Sequence, residues 1–303
     1  MTAVTSRELD LLRHLATFRY LHNGQIEALL FDGFPFGTES RETLARRVVL
    51  GLRRRGLIDV RRRLIGGTGG GSARQVNFLT EPGRRALAAT TGVSLAQLSA
   101  RGTLFVDHAL AVADVALAFR RSAMARPGHA VISWESDWEL AGTLGPSPIR
   151  PDGRLVYATE SCELEAFIEL DRDTERPVAF ARKVVRYLDF YRSGLWQDRL
   201  PLWPTILTVT PTVARATSLR RTTERVLAAA FDGSDLARTT EFRFATAAHL
   251  HEDRGPLGAI WQVARRVGDH ALFDADNLQR GAGDSPSAES RESDPVATGG
   301  VRN

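Results

Sequence analysis

The run from Glu163 to Asp171, Glu-Leu-Glu-Ala-Phe-Ile-Glu-Leu-Asp, constrains this chain more than any other stretch. It reads as a strand. Side chains alternate across a strand, so Glu169 and Asp171 share one face and Ile168 and Leu170 the other. Just upstream, Arg150-Pro151-Asp152-Gly153 leads into a second strand-like run, Asp152 to Ala158. If the two strands pair as neighbours, Asp152, Glu169 and Asp171 converge at one edge. Three carboxylates there repel unless they are protonated or balanced by a cation. The alternative is a solvated strand end, with the acids paired to Arg150, Arg154 and Arg172.

A cation of unusual type follows. Of the 40 Lys and Arg residues, Lys183 is the one lysine. Arginine stays charged in proteins, whereas lysine is a compact point charge whose pKa responds to burial. Lys183 falls in a helix expected from Pro177 to Ser193, opened by Pro177 and closed by Gly194. At 100° per residue Phe180, Val184, Tyr187 and Tyr191 form the apolar stripe, and Lys183 borders it roughly 60° away. Arg182 and Arg186 point outward.

At 303 residues with 43% hydrophobic content, the chain is long enough for two ordinary domains. A single cysteine, Cys162, excludes an internal disulfide and fits a reducing cytoplasm. No apolar run reaches the roughly 18 residues of a membrane span, and no signal-peptide pattern opens the chain. A cytoplasmic protein with no membrane partner is expected. Charge is divided unevenly: Met1 to Thr103 holds 16 arginines and 8 acids, the remainder 24 basic and 28 acidic residues. A basic N-terminal third suggests a nucleic-acid-facing part joined to one with another task.

That third has the order of a winged helix-turn-helix. Ser6 caps a helix carrying Leu9, Leu12, Leu15 and Ala16 at helical spacing. A second helix spans about Gln25 to Phe31, and a third begins at Thr38 or Ser40 with Leu44, Ala45, Val48, Val49 and Leu52 on its apolar face. Strands at Leu57 to Leu64 and Gln75 to Thr80 flank the glycine-rich turn Gly66 to Gly71. Thr43, Arg46, Arg53 and Arg54 occupy the third helix's polar face, with Arg47 on its flank. Arg61, Arg62, Arg63 and Arg74 lie on the wing strands. In a DNA reading Arg46 and Arg53 contact bases, and the wing arginines position the protein on phosphates or in the minor groove. A solvated arginine-rich face, or a winged helix that binds protein, is the competing reading.

Beyond a connector at 91–103, a helix from Leu104 to about Ala125 carries His108 on its apolar face, where a core histidine is expected. Then come a strand from Ala130 to Trp138, a loop from Ala141 to Pro148, the two strands already named, the Lys183 helix and a strand from Thr205 to Thr210. A helix from Pro211 to Phe231, a strand from Glu241 to Ala245 and a short helix around Trp261 and Val263 follow. From about Asn277 the composition predicts a disordered tail.

The order helix, three strands, helix, strand, with Pro151-Asp152 and Glu169 at strand ends, resembles the PD-(D/E)XK nuclease superfamily, the restriction-endonuclease-like fold. The resemblance implies that Asp152 and Glu169 hold Mg²⁺, that Asp171 is a third or water-mediated ligand, and that Lys183 stabilises the nucleophile or the developing phosphorane charge. The sequence departs from the superfamily at Asp171, where its lysine usually stands; some members take that lysine from the next helix, as Lys183 would be. Together with the N-terminal pattern, Asp107-His108, Arg150-Pro151-Asp152-Gly153 and the run Phe167 to Glu175 also resemble the replication-relaxation family of plasmid and mobile-element proteins, over about Ser6 to Thr210. The expected fold class is therefore α+β or α/β, with a winged helix at 1–90, a linker at 91–103, an αβββαβ restriction-endonuclease-like domain at 104–276 and a tail at 277–303. The implied partners are double-stranded DNA, plasmid replication or transfer proteins, and a second copy in a homodimer. Two readings of the second domain stand side by side: Mg²⁺-dependent nicking or cleavage of DNA, or a non-catalytic regulator or assembly factor.

Overall fold

A computed structural model describes residues 4–35, 37–62, 75–98, 106–173, 175–230, 240–252 and 254–273. The glycine-rich turn, Arg63, Arg74 and the expected tail lie outside the described residues, as does the side chain of Arg62.

Helix α1 (Ser6–Phe18) is capped by Thr5 rather than Ser6. The Thr5 hydroxyl accepts the Glu8 N–H at 3.3 Å, and the Glu8 carboxylate accepts the Thr5 N–H at 2.9 Å. This reciprocal capping box satisfies donors that the first turn otherwise leaves without partners. The two-residue strand β1 (Leu21–His22) leads into α2 (Asn23–Phe31), where His22 and Gln25 form the same kind of box. Helix α3 (Thr38–Arg54) buries Ala45, Val49 and Leu52. Strands β2 (Ile58–Arg62) and β3 (Gln75–Leu79) pair antiparallel and complete a three-stranded sheet in the order β1-β3-β2.

Helix α4 (Glu81–Thr91) begins at a tight junction. Its cap Thr80 accepts the Gly83 N–H and donates its hydroxyl to the Gly56 carbonyl. A Cβ at Gly83 would lie 1.9 Å from the Leu57 carbonyl oxygen, so only glycine lets the helix close on the start of the hairpin. A four-residue helix, α5 (Leu95–Leu98), follows within the expected connector.

The larger sheet has seven strands in the order β10-β9-β8-β7-β6-β5-β4. Helix α6 (Val106–Met124) precedes β4 (Ala130–Ser136), and α7 (Asp137–Leu144) replaces the end of the expected strand and much of the expected loop. Ser136 explains the switch. Its hydroxyl and backbone N–H both donate to Glu139, a capping box that starts a helix there.

Strands β5 (Gly153–Ala158) and β6 (Glu163–Leu170) pair antiparallel, with Gly153 opposite Ile168. Helix α8 (Pro177–Arg192) crosses to β7 (Thr205–Thr210), and α9 (Val213–Ala229) crosses to β8 (Phe242–Thr246); β6, β7 and β8 run parallel. Trp261 and Val263 are not helical as expected. They form β9 (Trp261–Val263) antiparallel to β8, with both side chains buried and Gln262 between them, the period-two signature of a strand. Strand β10 (Asp269–His270) closes the sheet.

The layers follow from alternation. Phe167, Ile206, Phe242 and Phe244 face α8 and α9 in one apolar cluster with Phe180, Val184, Tyr187 and Leu219. Tyr157, of opposite parity, meets Phe119 of α6 on the other face. The N-terminal helices share a core with that second layer, in which Leu11, Leu15, Ile26 and Leu30 cluster with Val112, Ala113, Ala116 and Leu117 of α6 and with Trp134, Trp138 and Leu170.

Polar contacts fix the same junction. Gln25 is 1% exposed and donates its amide to the Leu110 carbonyl and to Asp114, at 2.8 and 2.7 Å. Arg19 holds both oxygens of Asp137, and Trp138 donates to the Ala16 carbonyl. Met1–Leu272 is thus one compact unit; of the second, Phe273–Asn303, only Phe273 falls among the described residues.

Gly83→Ala forces a backbone shift at the α4 junction, and its expected cost is ~2 kcal/mol or more. Urea unfolding monitored by circular dichroism checks this as a lowered midpoint at unchanged slope.

Candidate functional site

The carboxyl ends of β6 and β7 and the beginning of β5 lie at one edge of the large sheet. In open α/β sheets this is the side on which ligands bind. Four residues expected from the sequence come to this edge.

Asp152, one residue before β5, lies beside Glu169 in the cross-strand register, because its own N–H donates to the Ile168 carbonyl. Glu169 is 3% exposed and points into the α8 layer. Lys183 turns inward from the margin of the α8 stripe, with Nζ 2.8 Å from Glu169 Oε2 and 3.7 Å from Glu175. The Tyr187 hydroxyl donates to the other Glu169 oxygen at 2.5 Å. Lys183 and Tyr187 are four residues apart on one helix and grip one carboxylate from adjacent turns.

Asp171 departs from the expected arrangement. It does not join Asp152 and Glu169. Arg215, from the first turn of α9, holds it with a two-pronged guanidinium contact, Nε to Oδ2 at 2.7 Å and Nη2 to Oδ1 at 2.8 Å. Both side chains are nearly buried.

His108 is the residue that sequence reasoning misplaced. It is not a core histidine: its side chain is 32% exposed and its Nε2 lies 2.8 Å from Asp152 Oδ1. Asp152 Oδ2 accepts the Leu170 N–H at 2.7 Å. Asp107, beside it, meets Arg172 at 3.4 Å. The Asp107-His108 pair at the start of its helix was the available signal, since a first-turn histidine reaches past the helix end.

Electrostatics follow these contacts. Burial alone would lower the Lys183 pKa, but the Glu169 carboxylate, with Glu175 and Asp152, holds the ammonium well above its usual range. Burial, then the Glu169 charge, pushes the Tyr187 phenol well up. For His108 burial works downward, yet the Asp152 hydrogen bond and charge prevail and its pKa is raised above 6.5.

Each edge acid therefore meets a basic side chain from a different helix: His108 of α6 for Asp152, Lys183 of α8 for Glu169, Arg215 of α9 for Asp171. All six carboxylate oxygens accept from protein donors. Mg²⁺ takes carboxylate oxygens with retained waters in octahedral array; at this edge Asp152 and Glu169 would hold it, in place of or beside their His108 and Lys183 contacts. Among the described residues no group of three His, Cys, Asp or Glu side chains is placed to hold a metal ion.

The residues expected to meet DNA sit apart from this edge. Thr43, Arg46, Arg47 and Arg54 are exposed on α3, Arg53 is half-buried there, and Arg61 is exposed on β2. The Thr43 hydroxyl donates to the Glu39 carbonyl.

These features define a mixed α+β protein with a basic helical unit fixed to an acid-edged sheet. A family model described as replication-relaxation matches residues 12–206, from α1 into β7. The chain belongs to the replication-relaxation family. No curated protein and no solved structure matches it. Among the described residues no helix is long and apolar enough to cross a membrane.

Two outcomes test the edge. Lys183→Met leaves a buried carboxylate without its cation and is expected to cost ~3 kcal/mol in denaturant unfolding, most of it recovered when Glu169→Gln is added. For His108 the folded pKa is raised, so its contribution is complete below the unfolded value, about 6.5, and fades as pH rises through the folded value. The stability difference between the wild type and His108→Gln is expected to be full below about pH 6.5 and to shrink as pH rises above it; a difference that grows instead contradicts the pairing.

Proposed function

We propose that this chain is a DNA-binding protein serving replication or mobilisation of a plasmid or other mobile element, and that its N-terminal unit is a winged helix-turn-helix with α3 as the recognition helix. One observation carries this reading. Two arginines, Arg41 in the first turn of α3 and Arg55 just after its last, are neutralised: Arg41 lies 3.4 Å from Glu27 and 3.7 Å from Asp32, and Arg55 lies 3.5 Å from Glu8. Arg46, Arg47, Arg53 and Arg54 have no carboxylate partner among the described residues. Charge left uncompensated on the outward face of a helix suits the major groove and its phosphates.

The second part is a restriction-endonuclease-like framework in this reading, with an architectural or recruiting role rather than a catalytic one. Its acids serve as internal ion pairs and hold the layers together. Partners for it are a plasmid replication or transfer protein, or a second copy of the chain. The protein works in the cytoplasm, where such DNA resides.

Arg46→Ala with Arg53→Ala is expected to weaken binding to duplex DNA, measured by fluorescence anisotropy, by about 1–3 kcal/mol for each lost base contact. The slope of log affinity against log salt is expected to fall by about one for each phosphate contact removed. Unchanged affinity and slope would sink the role of α3. Nicking of supercoiled plasmid with Mg²⁺ or Mn²⁺ tests the second part. Metal-dependent nicking that disappears in Asp152→Ala restores the nuclease reading, in which Asp152 and Glu169 exchange His108 and Lys183 for the ion.

A further inference from the structure

A second set of uncompensated arginines lies on the opposite side of the large sheet. Helices α8 and α9 run parallel as neighbours, because each connects parallel strands, and Arg192 near the end of α8 donates to the Ala230 carbonyl just beyond α9. Each presents an outward arginine pair four residues apart: Arg182 and Arg186 on α8, Arg221 and Arg225 on α9. The pairs are built alike, since Arg186 Nε donates to the Arg182 carbonyl at 3.4 Å and Arg225 Nε to the Arg221 carbonyl at 3.4 Å.

None of these four has a carboxylate partner among the described residues. The nearby acids are engaged at the margins, Asp189 with Arg192 at 3.9 Å and Glu224 with Arg220. Like charges four apart on a helix repel. Here the repulsion occurs on two adjacent helices; Arg225 also donates from Nη2 to Thr222 Oγ1 at 3.1 Å, but among the described residues no carboxylate neutralises either pair.

We propose that the outer face of α8 and α9 is a second DNA-binding surface that takes the phosphate backbone of a duplex segment distinct from the one on α3, so that the protein bridges two segments. A guanidinium fork matches phosphate oxygens in pairs. Exposed Ala214, Ser218 and Ala228 around the α9 arginines let a backbone approach closely. Distinct segments follow from the layers: the N-terminal unit shares its core with α6 and Leu170 on one face of the sheet, and α8 and α9 cover the other. The polyanion favoured over an acidic protein is DNA, because the array is a two-row field of charge on α8 and α9, suited to a continuous line of phosphates.

This inference rests on the reading that the chain binds DNA, and not on the role of α3. The test uses the full chain and a variant carrying Arg182→Gln, Arg186→Gln, Arg221→Gln and Arg225→Gln, with a melting curve to establish an intact fold. Duplex DNA tethered to beads binds the protein, and capture of a second, labelled duplex is then measured. The wild type is expected to capture it. The fourfold variant is expected to stay on the tethered duplex and to lose capture at least tenfold, while Arg46→Ala with Arg53→Ala weakens the first binding event. Capture by the fourfold variant equal to wild type overturns the second surface and leaves α3 standing. Loss of capture in that variant, with no effect from the α3 substitutions, overturns α3 alone. A wild type that binds no duplex overturns both.

Discussion

The meeting of Asp152 and Glu169 across β5 and β6 is the constraint on which the molecule depends. Two adjacent strand ends carry carboxylates that repel in a desolvated setting, and the fold answers with one basic side chain from each surrounding helix. His108, Lys183 and Arg215 come from α6, α8 and α9, so the electrostatic requirement of one sheet edge ties both layers to it. Leu170 joins the same point through its N–H to Asp152 and its side chain to the N-terminal core.

The junction between the helical unit and the sheet works by the same economy of residues. Gln25 closes the capping box of α2 with its oxygen and reaches α6 with its amide. Helix initiation and docking therefore share one side chain. Ser136 and Glu139 start α7, whose Asp137, Trp138 and Glu139 then meet Arg19, Ala16 and Thr17. A unit anchored in this way presents α3 at a fixed place relative to the sheet.

Cations divide into two populations by their partners. Those at the sheet edge, with Arg41 and Arg55 beside α3, are matched to carboxylates; Arg46, Arg47, Arg53 and Arg54 of α3 and Arg182, Arg186, Arg221 and Arg225 of α8 and α9 have none among the described residues. The division matters more than the regional charge balance, because most acids among the described residues of the second part meet internal partners. The outward field of that part is set by the arginines left over.

Local information carried far in this chain. Period and punctuation predicted α3, α8, β5, β6 and β7 within a few residues, since each has a strong apolar pattern bounded by Gly, Pro or a cap. The acids at Asp152 and Glu169 and the odd lysine at Lys183 were legible as a group for the same reason: spacing on a strand and on a helix is a local property. Partner choice is not local. That Asp171 belongs to Arg215, 44 positions later, and Asp152 to His108, 44 positions earlier, depends on which helix crosses which strand end. The strand character of Trp261 to Val263 likewise came from pairing with β8, because three residues carry too little periodicity to declare themselves. The sequence by itself determined the elements and the presence of an acid-rich edge; the tertiary structure alone decided which cation each acid received, because compensation of charge operates over a few ångströms in space, whatever the distance along the chain.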